Sequence, residues 1–130
     1  MKANVTLTTT CLLWILFMTF HLTDDIVHGM DPGGLTSLVV LVFVLIVFLY
    51  GTLVLAERRS GYVIIFLGSL IGAVIPVIHM KGNGVGEVAK TSGGFFFVFT
   101  LLALGVTSVF ALVLSARGLW SLRRGQPRTA

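Results

Sequence analysis

From Leu35 to Ala56 the chain runs for 22 residues without a single charged side chain. Such a run leaves few choices: a helix rises about 1.5 Å per residue, so about 20 apolar residues cross the roughly 30 Å hydrocarbon core of a bilayer. Phe95 to Ala116 is a second uncharged run of the same length. Gly61 to Met80 is a third, interrupted only by His79. The composition agrees, since only 11% of the 130 residues are charged and the mean hydropathy is +1.03, far from a soluble domain.

The first apolar segment, Val5 to Thr23, is less clear. Its strongly apolar centre is only Cys11 to Phe20, preceded by Thr6, Thr8, Thr9 and Thr10. A signal peptide has a similar outline, but no small-x-small cleavage site follows the centre. Threonine hydroxyls can bond back to the carbonyl one turn earlier, so they are tolerated in lipid. A retained helix is therefore expected, and the chain reads as an all-α integral membrane protein, a single domain over residues 1–130. The expected fold is an up-down bundle of four transmembrane helices at about 5–28, 35–56, 61–80 and 94–118. Loops at 29–34 and 81–93 should lie on one side, with a basic tail at 117–130 on the other.

Orientation follows from the bias of Lys and Arg in short loops. Lys2, Arg58, Arg59, Arg117, Arg123, Arg124 and Arg128 collect on one side, and only Lys81 and Lys90 on the other. Both termini are expected in the cytoplasm and the protein in the cell membrane. Arg58, Arg59, Arg117, Trp120, Arg123 and Arg124 read as anchors at the membrane interface, with the lipid bilayer as their partner and no nucleic acid. Asn4-Val5-Thr6 matches a glycosylation acceptor but falls on the cytoplasmic side. Cys11 has no second cysteine to pair with and reads as a small buried hydrophobe.

Gly68, Ser69, Gly72 and Ala73 form a stripe of small residues on the third helix. Gly68 and Gly72 are expected to let a neighbouring helix approach closely, within the bundle or across a homo-oligomer. Pro76 should kink the helix just below His79. The segment 82-GNGVGEVAK-90 resembles a phosphate loop only superficially, because it lacks the G-x-x-x-x-G-K-[ST] spacing and a preceding strand. It reads as a flexible connection. The helix pairs show no convincing internal repeat.

The residues that could carry chemistry are in 20-FHLTDDIVHGMDPGG-34. At about 100° per residue, His21, Asp24, Asp25 and His28 fall near 0°, 300°, 40° and 340°, one stripe about 100° wide. Trp14, Phe17 and Met18 continue it into the bilayer. Aspartates in the last turn of a helix oppose its macrodipole, so a compensating charge is expected: a histidine, Lys81 or a bound cation. His21, Asp24, Asp25, His28 and, from the third helix, His79 form a candidate ligand set for zinc, iron or manganese. The same groups could instead relay protons. A haem between His79 and His21 or His28 ranks behind a divalent transition metal. A ligand-free reading is also open, in which Thr23 caps a separate short helix with Asp24 and Asp25 in its first turn, Gly29 ends it, and Asp31-Pro32-Gly33-Gly34 turns the chain.

Two functions compete on this pattern. One is a small membrane enzyme or metal-handling protein with its site at the outer face. The other is a structural or accessory subunit that packs against partner membrane proteins. The near absence of ionisable groups within the spans argues against a channel or transporter in the monomer.

Overall fold

The computed structural model describes residues 2–29, 33–81 and 84–125. It is a helical bundle with four membrane-length helices: α1 (Lys2–Val27), α2 (Gly34–Leu53), α3 (Arg59–Lys81) and α5 (Gly94–Arg123), with a short α4 (Gly84–Val88) between the last two. No strand occurs among the described residues. This is the outcome that hydrocarbon imposes, since a helix satisfies all its interior backbone groups within one segment.

The helices alternate in direction, and each packs on two neighbours in the circuit α1, α2, α3, α5 and back to α1. The contact between α3 and α5 is the most extensive. α2 is the loosest member: its buried residues, Phe48, Gly51 and Thr52, all lie in its second half. Side-chain hydroxyls bond back along their own helices, among them Thr10 to the Thr6 carbonyl, Thr19 to Ile15 and Thr23 to Thr19, each at 2.8 Å. These three threonines of α1 thus keep their hydroxyls bonded within the helix, as lipid requires.

Several boundaries depart from the pattern read in the sequence. α5 continues to Arg123, past the expected end at 118, so Trp120, expected in the tail, is helical. The connection expected to be flexible over 81–93 contains α4, while Gly82 and Asn83 lie outside the described residues. α4 folds back onto α5 through a close approach: a Cβ on Gly94 would strike the carbonyl oxygen of Val88 and the backbone of Ala89. Val88 then packs with Phe97 and Leu101. Lys90 pairs with Glu87 at 3.2 Å, both side chains exposed, which is a solvated surface pair and no phosphate cradle.

Gly68 and Gly72 are buried inside the bundle, so they offer no face to a second copy. Their role also differs in kind from a backbone-to-backbone approach. A Cβ on Gly68 would meet the Phe48 ring, and one on Gly72 would meet the Trp14 indole and the Ser108 hydroxyl. The glycines admit aromatic rings from α1 and α2. Trp14 stacks on Phe48 with centroids 4.1 Å apart. Its indole N–H donates to Ser108 Oγ at 2.8 Å, and that hydroxyl donates to the Leu104 carbonyl at 2.6 Å. A buried indole needs such a partner, because an unmet N–H in an apolar interior is costly. α3 runs unbroken through Pro76, and a Cβ on Gly105 of α5 would lie 3.0 Å from the proline ring.

Candidate metal centre

α1 is continuous from Lys2 to Val27, with the His28 amide still bonded to the Asp24 carbonyl at 3.0 Å. The separate short helix capped by Thr23 does not form: the Thr23 hydroxyl donates backward to Thr19 and gives nothing forward to the chain. Gly29 ends the helix at φ +66°, a left-handed conformation open to glycine without strain. Asp31 and Pro32, the first half of the expected turn, lie outside the described residues. Asp24 and Asp25 therefore sit in the last turn of a helix, where the carbonyl-end dipole disfavours them.

The bundle meets this acidic end with histidine. His21, one turn deeper, is 1% exposed. Its Nε2 lies 3.7 Å from Asp25 Oδ2. His79, in the last turns of α3, places its own Nε2 3.8 Å from the same oxygen. One donor atom from each of His21, Asp25 and His79 falls within 4.8 Å of the other two. The two imidazoles meet edge to face with centroids 5.0 Å apart, and Phe97 of α5 packs against both, at 5.2 and 6.0 Å. Three helices thus wall the site, while the buried part of α2 is at the other end.

Hydrogen bonds set one tautomer. His79 Nδ1 lies 2.9 Å from the Ile75 carbonyl. A carbonyl only accepts, so Nδ1 carries the hydrogen and the neutral ring presents the Nε2 lone pair to Asp25. Neither ring nitrogen of His21 makes a hydrogen bond, although the side chain is buried. One ligand atom from each of the two imidazoles and one from the Asp25 carboxylate therefore converge at this point, with the His21 ring making no hydrogen bond.

Asp24 and His28 stand apart from this trio. His28 Nδ1 lies 3.5 Å from Asp24 Oδ1 and donates to the Asp24 carbonyl at 2.9 Å. Its Nε2 reaches across to α5, where a Cβ on Gly93 would lie 3.2 Å away. Of the five residues that share a face or an end in the sequence, His21, Asp25 and His79 come together, and Asp24 and His28 pair with each other. The His21 and His79 rings meet edge to face with Phe97 against both, which leaves no slot for a haem between those two imidazoles. Two contributors carry no signal in the sequence: the Ile75 carbonyl that orients His79, and Phe97, one of four phenylalanines in 94-GFFFVF-99.

The fold and this cluster define a class: a small all-helical integral membrane protein with a His/Asp cluster at one end of its bundle. Family models, curated proteins and solved structures offer no match to the chain.

Proposed function

We propose that the protein is a metal-binding membrane protein that holds one divalent transition-metal ion between α1 and α3. The ligands are His21 Nε2, Asp25 Oδ2 and His79 Nε2. The observation that carries this reading is the buried, unbonded His21 imidazole beside a carboxylate and a second imidazole whose tautomer turns its lone pair toward them. A buried polar ring without partners is expensive, and a cation satisfies all three acceptors at once.

Distances favour an ion over a shared proton. Charge-assisted N–H···O bonds run at about 2.7–2.9 Å, whereas the nitrogens here stand 3.7 and 3.8 Å from the carboxylate oxygen. Ligands about 2.1 Å from a tetrahedral ion stand about 3.4 Å apart, so the two imidazole–carboxylate separations close by a few tenths of an ångström and the imidazole–imidazole separation, within 4.8 Å, by at most about 1.4 Å. The His79 Nδ1 bond to a backbone carbonyl is the usual outer support of a ligating imidazole. Two imidazoles and one carboxylate suit zinc, iron or manganese, with water completing the coordination.

Elemental analysis of metal-depleted protein, reloaded with Zn²⁺, Fe²⁺ or Mn²⁺ and desalted, tests the reading. About one ion per chain is expected for at least one of the three, as a closed three-ligand site retains its metal. Retention of none would transfer the cluster to proton handling or leave the protein as an accessory subunit. The Lys/Arg bias supports a cell-membrane protein with cytoplasmic termini and the metal site at the outer face. In intact cells, Lys90→Cys should react with an impermeant maleimide and Arg59→Cys should not; the reverse labelling would invert the topology.

A further inference from the structure

At the end opposite the histidines, α3 and α5 meet through Tyr62 and Gly118. A Cβ on Gly118 would collide with the Tyr62 ring, so the glycine lets the ring lie flat against α5. This contact fixes the relative height of the two helices. The helices are antiparallel, so Arg58 and Arg59 lie about 4.5–6 Å beyond Tyr62, and Arg123 and Arg124 about 7.5–9 Å beyond Gly118, in the same direction. Arg117 lies at the level of the contact itself. The backbone positions of these five arginines therefore fall within a layer about 10 Å thick at this end of the bundle.

That layer is short of anions. No ion pair among the described residues involves any of these five arginines, and all five are exposed. Glu57 is the single acid in the turn. Arg117, Trp120 and Arg124 fall within about 60° of one another around α5 at 100° per residue. The Arg124 guanidinium lies 4.8 Å from the centroid of the exposed Trp120 ring, which stiffens the side chain over an aromatic face. α5 is 30 residues long, about 45 Å at 1.5 Å per residue, so it outreaches the roughly 30 Å hydrocarbon core and carries this face into the headgroup region.

We propose that the exposed Arg117–Trp120–Arg124 face of α5, turned away from the Tyr62 contact, is a binding site for the phosphate of an anionic phospholipid. The guanidinium fork matches phosphate oxygens in two-point contact, and basic clusters beside membrane helices hold acidic headgroups. Trp120 lies along the acyl-glycerol boundary, where indoles favour an apolar body and a wet edge. The occupant is a lipid and not free phosphate, because the site is presented beside the bilayer by a helix that crosses it.

Native mass spectrometry of the full chain, released from detergent supplemented with equal phosphatidylglycerol and phosphatidylcholine, measures the preference. Bound phosphatidylglycerol should exceed phosphatidylcholine by about tenfold. The Arg117→Gln, Arg123→Gln, Arg124→Gln variant should lose that preference, and the matching triple lysine variant should keep most of it. Circular dichroism checks that the glutamine variant folds; if it does not, Arg117→Gln, Arg124→Gln replaces it with the same expected loss. Equal retention of both lipids by the parent protein would overturn the proposal. So would displacement of phosphatidylglycerol by millimolar inorganic phosphate, since the site would then recognise a free anion.

Discussion

Gly72→Ala is expected to destabilise the bundle by about 2–4 kcal/mol, a large effect for one methyl group. The added Cβ would collide with the Trp14 indole nitrogen and with Ser108 Oγ, the two ends of a buried hydrogen bond. Neither can retreat freely. Trp14 is stacked on Phe48 and fully buried, and the Ser108 hydroxyl is committed to the Leu104 carbonyl. The substitution therefore adds overpacking to a lost or stretched bond, and an indole N–H left unmet costs about 1–3 kcal/mol by itself. Alanine is the better helix former by about 1 kcal/mol, so a destabilisation isolates the packing effect. Reversible unfolding in mixed micelles, with Gly86→Ala as the control where a Cβ meets nothing within 4 Å, gives the measurement. Equal stability of the two variants would show that Trp14 can leave its seat at little cost.

The second large effect changes sign with metal. In excess chelator, His21→Leu should be at least as stable as the parent, because it replaces a buried imidazole without hydrogen bonds by an apolar side chain of similar size. With free zinc at about 100 times the dissociation constant, the parent gains about 2.7 kcal/mol from linkage and the variant gains nothing. The order of stability should thus reverse on adding metal. Thermal unfolding of both proteins in chelator and in buffered zinc follows this. A His21→Leu protein that zinc stabilises as much as the parent would remove His21 from the site. Asp24→Asn, in the pair that stands apart, should leave the zinc response within about twofold.

The spans were legible in the residues because hydrocarbon permits little else: an uncharged run such as Leu35 to Ala56 has helix as its available form. Boundaries were less so. Trp120 looks like part of a tail in composition, yet helical backbone bonding continues through Gly118 to Arg123 and stops only before Gly125, whose φ is +58°. The face shared by His21, Asp24, Asp25 and His28 also follows from spacing, provided the helix does not break at Thr23. Composition could not decide that, since threonine either caps a new helix or bonds back into the old one, and the Thr23 to Thr19 bond resolved the choice.

The pairing within that face depended on a partner from elsewhere in the chain. Periodicity treats Asp24 and Asp25 as near equals, but their carboxylates diverge, and only Asp25 meets the histidine that α3 brings. Likewise Gly68 and Gly72 announce close packing in sequence without saying what fills the space, and rings from α1 and α2 do so. The sequence by itself determined four membrane helices, their alternation and the end at which the histidines and acids gather, because those follow from local periodicity and the cost of charge in lipid. Tertiary structure alone decided that His21, Asp25 and His79 converge while Asp24 and His28 do not, because convergence depends on how α1 and α3 rotate and slide against each other, and that is set by side-chain packing between segments far apart in the chain.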